Sequence, residues 1–228
     1  MTPSEAPVVA CRHVSRTFGR GPAAVVAVHD VTAHVFPGQR IALMGESGSG
    51  KSTLLHLLGG LDAPTTGEVS WPGLVTRARR PAGVGVVFQA PSLLPALDVA
   101  DNVALPLLLA DLPPVEARRR AEAALGRLDM GGLAGAAPDE LSGGQAQRVA
   151  IARVLAGEPA LVLADEPTGQ LDRRTAAHVL DVLLEAVGTL GAALVVSTHD
   201  PEVAGRLGDR WSMTAGRLLE AMAGRGVR

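Results

Sequence analysis

The stretch Arg40-Ile41-Ala42-Leu43-Met44-Gly45-Glu46-Ser47-Gly48-Ser49-Gly50-Lys51-Ser52-Thr53 decides how the rest of this 228-residue sequence is read. Residues 40–44 form the apolar run of a short buried strand, and Thr53-Leu54-Leu55-His56-Leu57-Leu58 carries apolar residues at helical spacing. Between them, Gly45 to Ser52 fits GxxxxGK[ST], a turn whose backbone N–H groups and following helix N-terminus suit a polyphosphate. Gly45, Gly48 and Gly50 let the backbone turn inward, and Glu46, Ser47, Ser49 and Thr53 complete the expected binding segment. Lys51 is expected on the β- and γ-phosphates and the Ser52 hydroxyl on Mg²⁺. Lys51 is also the one lysine beside twenty arginines. A compact ammonium on a flexible stem is retained where a planar guanidinium would not serve.

Composition sets the outer bounds. Hydrophobic residues make up 47% of the chain, enough for one substantial core with room for a subdomain, and too many for a disordered protein. The formal net charge of −2 gives no general electrostatic case for a nucleic-acid partner. Arg77, Arg79, Arg80 and the run Arg118-Arg119-Arg120 are local basic spots, read as solvated faces or as contacts to headgroups or a partner. Cys11 is alone, so neither an internal disulfide nor a cysteine-rich metal site is available; a small buried residue in a reducing cytoplasm is the simplest reading. Met1 to Glu5 lacks the basic and apolar parts of a signal peptide, and no apolar run reaches a membrane span. Val103 to Ala110, the most apolar stretch, is too short and contains Pro106. The chain is expected to be soluble by itself.

The layout predicted along the chain is α/β. Val8 to Phe18 and Val25 to Phe36, separated by Gly19-Arg20-Gly21-Pro22, read as antiparallel strands, and Gly83 to Phe88 as another strand. Helical patterns run from about Val99 to Ala156, punctuated at Pro113-Pro114 and between Gly131 and Pro138. Ala160 to Ala164 and Ala192 to Ser197 are continuous apolar runs flanking a helical segment, Arg173 to Gly188, the mark of strands buried in a parallel sheet.

A second candidate site is Leu161-Val162-Leu163-Ala164-Asp165-Glu166-Pro167, an apolar strand delivering two carboxylates at its C-terminal end, where open parallel sheets bind ligands. Asp165 suits Mg²⁺, directly or through water. Glu166, on the other face of an extended segment, suits a general base for an attacking water. A third is Leu141-Ser142-Gly143-Gly144-Gln145, followed by Ala146-Gln147-Arg148. There Ser142, Gly143 and Gly144 open a helix and offer donors and a dipole to an anion.

With the phosphate loop and the Asp165-Glu166 pair, this last segment resembles the signature motif of the ABC ATPases. The resemblance extends from about Val9 to Leu219. It implies an ABC-type P-loop nucleotide-hydrolase core: a mostly parallel sheet with helices on both faces, an N-terminal antiparallel β subdomain and a helical subdomain insertion. One nucleotide-binding domain, 1–228, would comprise 1–89 as β subdomain and phosphate-loop core, 90–157 as helical subdomain, and 158–228 as the second half of the core. Residue by residue, Gln89 matches the glutamine that contacts Mg²⁺ and the attacking water, and Gly169-Gln170-Leu171-Asp172 matches a loop crossing the dimer interface. His199, in Ser197-Thr198-His199-Asp200, matches the histidine on the γ-phosphate. Phe18 stands where the family stacks an aromatic on adenine; a core aromatic is the other reading. In a chain without tyrosine, Phe18 keeps the π-face and loses the hydroxyl.

The resemblance implies ATP and Mg²⁺ as cofactors and a head-to-tail homodimer in which Ser142, Gly143, Gly144 and Gln145 of one copy close on the γ-phosphate held by the other. Phe88 to Pro95, Asp101 to Leu107 and Pro167 to Asp172 are most similar to the group serving lipoprotein release, macrolide and peptide export, and cell-division control. That group implies a separate four-helix membrane permease, docked between Gln89 and about Leu112, and a peripheral place on the cytoplasmic face of the membrane. Val103 to Leu109 is read equally as part of that docking groove or as a core helix. Control of an extracytoplasmic partner without transport, and soluble action on ribosomes or DNA, are the alternatives to export. One departure is Gln170, where the group usually has asparagine.

Overall fold

The computed structural model describes residues 6–74, 76–77 and 80–222, and side chains at 6–74 and 81–219. Strands β1 (Val9–Phe18), β2 (Val25–Val35) and β3 (Arg40–Met44) lead into helix α1 (Lys51–Leu58), then β4 (Thr66–Ser70), β5 (Thr76–Arg77), β6 (Arg80–Pro81) and β7 (Val84–Val87). Helices α2 (Val99–Leu109), α3 (Pro114–Arg127) and α4 (Gly143–Leu155) follow. The chain continues through β8 (Leu161–Asp165), α5 (Arg173–Leu190), β9 (Ala193–Thr198), α6 (Pro201–Gly205), β10 (Asp209–Thr214) and β11 (Arg217–Met222).

Segments that are apolar at every position become the middle of a sheet covered on both faces. The six-stranded sheet has the order β11-β10-β3-β9-β8-β7, parallel except for β11. Alternation along each central strand sorts its residues between two cores. Ile41, Leu43, Leu161, Leu163, Ala193 and Val195 face α1 and the antiparallel strands. Ala42, Val162, Ala164, Leu194 and Val196 face α2 to α5.

The expected antiparallel pair is present, with register running from Val9 opposite Val35 to Phe18 opposite Val25. It joins β4 in a three-stranded sheet of order β2-β1-β4. Val9, Cys11, Val14, Val28, Val31 and Val35 turn inward onto the core that contains α1. Burial pushes the Cys11 thiol up to about 12, so it remains a neutral, small apolar residue. Trp211 is buried in the same core, whereas Trp71 packs at its border and donates its indole N–H to Leu58 O at 2.8 Å.

The helical patterns become three helices. Pro113 caps and Pro114 opens α3, where a missing N–H costs nothing, while Pro106 lies inside α2 without ending it. The arginine run on α3 is ion-paired: Arg118 with Asp101 and Glu122, and Arg119 and Arg120 with Glu116. This is the solvated-face reading of that run. The side chains of Arg77, Arg79 and Arg80 lie outside the described residues. Among the described residues, no helix is long and apolar enough to cross a membrane.

Candidate functional site

Parallel pairing decides what meets. Met44 pairs with Thr198 on β9, Asp165 pairs with Ser197, and Val87 on β7 pairs with Ala164. The loop after Met44, the Asp165-Glu166 pair, the Thr198-His199 turn and the segment carrying Gln89 therefore leave the sheet at one edge.

The loop is shaped by close approach. Gly50 has φ +103°, and a Cβ there would fall 2.1 Å from Ala27 O. A Cβ at Gly45 would fall 2.3 Å from Met213 O. Gly48, at φ +77°, supplies the turn between them. Ser49 O accepts from Gly216 N at 2.9 Å, which ties the loop to the turn between β10 and β11. Lys51 is 6% exposed, and its Nζ donates to Gly45 O and Glu46 O, each at 2.9 Å. The ammonium is thereby held in the mouth of the loop, above the first turn of α1, whose leading N–H groups have no partner within the helix. Ser49 Oγ is buried without a hydrogen-bond partner among the described residues. The Lys51 ammonium, the Ser49 hydroxyl and the start of α1 together fit an anionic, oxygen-rich ligand.

At the end of β8 the two carboxylates have different partners, as alternation predicts. Asp165 Oδ1 accepts from the Ser197 hydroxyl. Glu166 turns away with φ +40°, and its N–H donates to Ser197 Oγ at 2.9 Å and to Ser197 O at 3.2 Å. Glu166 Oε1 lies 3.3 Å from His199 Nδ1. A Cβ at Gly169 would press on Glu166 Oε2 at 3.2 Å, so the loop after β8 packs against the carboxylate. Glu166, Thr168, Gly169, Leu171 and His199 line an open cleft of about 510 Å³. Ser197 is the participant that motif reading misses, because attention falls on the histidine two residues later.

Ser52, Gln89 and Asp165 offer hydroxyl, amide and carboxylate oxygens, a donor set that fits Mg²⁺ shared with phosphate oxygens. Gln89 is exposed just beyond β7. Its segment is anchored to α4, where Arg153 donates to Pro91 O at 2.8 Å and Ser92 O at 2.9 Å.

The Ser142 segment is elsewhere. Ser142 caps α4 in a reciprocal box: Ser142 N donates to Gln145 Oε1 at 2.8 Å and Gln145 N to Ser142 Oγ at 3.3 Å. A Cβ at Gly144 would fall 2.3 Å from Thr175 Cγ2, so the start of α4 is pressed against the start of α5. Asp172 caps α5, accepting from Thr175 Oγ1 at 2.6 Å and from Arg174 N and Thr175 N, each at 3.1 Å. Those bonds, that from the Thr175 hydroxyl above all, hold its carboxyl below the usual range. Ser142, Gly144 and Gln145 line a second open cavity of about 580 Å³, with Arg148, Arg174 and His178. It shares no lining residue with the cleft of Glu166 and His199.

Phe18 is 43% exposed, so it is a surface ring and not a core aromatic. The Arg16 guanidinium stands 4.6 Å from its centroid and is itself held by Asp62 at 2.8 Å.

Comparison with known proteins identifies the family. The ABC transporter family model covers residues 28–169. The chain belongs to that family. As a member it is an ATPase, with the fold expected from the sequence. Two curated relatives are called lipoprotein-releasing system ATP-binding protein LolD. That of Bordetella avium is 43% identical, covering 91% of this chain and 94% of the relative; that of Pseudomonas syringae pv. tomato is 42% identical, covering 96% and 100%. Among solved structures, the dimeric post-hydrolysis state of the ATP-binding cassette MJ0796 bound to ADP and Pi superposes with a TM-score of 0.83 at 33% identity, covering 96% of this chain and 100% of that one. The cbiO1 protein of Clostridium perfringens, part of an ABC transporter complex, gives 0.82 at 26% identity, covering 97% and 90%.

Proposed function

We propose that this ABC ATPase closes as a head-to-tail homodimer around two Mg²⁺-ATP and drives a separate membrane permease that extracts or exports lipoproteins. The carrying observation is the division of the machinery. Lys51, Asp165, Glu166 and His199 gather at one sheet edge, while Ser142, Gly144 and Gln145 face a cavity of their own. A second copy, turned head to tail, brings the missing half to each site. Likeness to a dimeric cassette and to LolD proteins supports the same reading.

In this reading Phe18 stacks on adenine with the face that Arg16 leaves open. Gly45 to Thr53 hold the phosphates, and Lys51 exchanges its loop carbonyls for phosphate oxygens. Ser52, Asp165 and Gln89 hold Mg²⁺, which when bound neutralises charge on the phosphate oxygens. Glu166 accepts a proton from the attacking water, and His199, beside its carboxylate, orients toward the γ-phosphate. Ser142 to Gln145 of the second copy present donors to that phosphoryl group, and Asp172 keeps the neighbouring interface loop in shape. Residues 1–89, 90–157 and 158–228 act as three units, the middle one carrying Ser142 and offering the permease a groove near Gln89 and α2. Exposed Phe88, Leu94, Leu108 and Leu109 support that docking face. The work is done at the cytoplasmic face of the membrane.

The test is to tag Glu166→Gln protein in its native cell, solubilise membranes with ATP and Mg²⁺, and identify co-purifying proteins by mass spectrometry. A stoichiometric four-helix permease with a lipoprotein-binding outer domain is expected. Recovery with ribosomes or DNA and no membrane protein overturns the proposal.

A further inference from the structure

Ser197 lies at the end of β9 with 0% exposure, and no part of the mechanism above uses it. A hydroxyl has one proton to give and two lone pairs to receive with. Here its proton goes to Asp165 Oδ1, and it receives the N–H of Glu166. One buried atom therefore touches the carboxylate assigned to Mg²⁺ and the backbone of the residue assigned as base.

Each contact has a consequence. The hydrogen bond to Asp165 occupies Oδ1 and fixes the rotation of the carboxylate, so that Oδ2 is the oxygen left for the metal. At Glu166, φ of +40° is an uncommon conformation for a non-glycine residue. In it the Glu166 N–H donates to two acceptors, Ser197 Oγ and Ser197 O. That turn brings the Glu166 side chain to His199. An aliphatic side chain would serve neither neighbour, whereas a hydroxyl both donates to Asp165 and accepts from Glu166.

We propose that Ser197 is a positioning residue that locks the metal carboxylate Asp165 to the backbone turn of Glu166, so that metal binding and water activation share one geometry. This rests on the assignment of Asp165 and Glu166 made above. The proposal predicts a joint defect. Ser197→Ala should raise the Mg²⁺ concentration needed for half-maximal turnover and lower kcat, each about ten-fold, the order expected for losing one charge-assisted hydrogen bond. ATP affinity measured in EDTA should stay as in the wild type, because the phosphate loop is untouched.

The experiment measures steady-state ATP hydrolysis against Mg²⁺, together with Mn²⁺ affinity of the ATP-bound protein by electron paramagnetic resonance. The set is wild type, Ser197→Ala and Ser197→Thr, with Mn²⁺ binding repeated in the Glu166→Gln background, where turnover does not consume the nucleotide. Weaker Mn²⁺ binding and slower turnover in Ser197→Ala, both recovered in Ser197→Thr, support the lock. Unchanged Mn²⁺ affinity in Ser197→Ala overturns it, whatever happens to kcat. A defect equal in the alanine and threonine variants also overturns it, since packing and not the hydroxyl would then be responsible. Failure of the underlying assignment looks different: Glu166→Gln would hydrolyse ATP at the wild-type rate.

Discussion

At Lys51 the choice between two cations of equal charge becomes a matter of shape. Its Nζ sits on two carbonyls of its own loop at 2.9 Å, a geometry suited to a tetrahedral donor on a flexible stem and not to a planar fork. Lys51→Arg should therefore weaken ATP binding at least about ten-fold despite conserving charge. Titration with a fluorescent ATP analogue checks this, and near-wild-type affinity would remove the shape argument. Phe18 makes a second prediction at this scale. Its ring is exposed and backed by Arg16, so Phe18→Ala should cost about 1–2 kcal/mol of ATP affinity with little effect on folding. Lys51 is legible from the spacing of its own motif, Asp165 and Glu166 from an apolar strand that ends in two carboxylates, and His199 only through the family resemblance. Ser197 is not legible. A small hydroxyl at the end of an apolar strand is common, and its two bonds arise from chain segments 31 and 32 positions away.

Elements depend on a few side chains that bind backbone. Asn102, 1% exposed, fastens the start of α2 to the segment before it: its Oδ1 accepts from Leu94 N at 2.7 Å, and its Nδ2 donates to Leu94 O, Leu97 O and Asp98 O. Asn102→Ala strands buried polar groups and should destabilise the protein by about 2–4 kcal/mol, measured by urea unfolding. On α3, hydrogen bonds from Arg119 and Arg120 lower the Glu116 pKa from 4.5 to about 2. A depressed carboxyl contributes stability above its unfolded value and loses it as pH falls through the folded one. Wild-type stability should thus decline between about pH 4.5 and 2 more steeply than that of Glu116→Gln, followed by circular dichroism at low salt, and the difference should shrink with added salt. Elements with one clear signal are readable to within a residue or two: the continuous apolar runs give β3 as predicted at 40–44 and β8 shifted by one, and the helical pattern gives α5, extended to Leu190 before the left-handed Gly191. Strand β4 (Thr66–Ser70) was missed because its residues are half-buried or exposed with no alternation, and its pairing to β1 provides the strand character. The β10–β11 hairpin was missed because Asp209 to Thr214 mixes polar and apolar residues on a strand whose order comes from its place beside β3.

On the scale of the molecule, the sheet edge and the Ser142 face line separate cavities of one chain, and in the proposed dimer each would complete a site on the other copy. Glu166→Gln with ATP and Mg²⁺ should run as a dimer in size-exclusion chromatography with light scattering, and as a monomer in EDTA. A monomer under both conditions would break the head-to-tail reading. The sequence carried this organisation only through resemblance, since spacing says nothing about which surfaces meet across two molecules.

The clamp on the phosphate loop makes a local motif depend on distant residues. Gly45 and Gly50 are shaped by Met213 and Ala27, and Ser49 O is held by Gly216 N, from a turn in which Ala215 and Gly216 both have positive φ. The loop and this turn lie far apart in the sequence and meet only because the β10–β11 hairpin is seated beside β3. One wall of the loop is therefore a long-range tertiary contact and not a property of the motif, and a change that slackens the hairpin would loosen the grip on phosphate while leaving every residue of the motif in place.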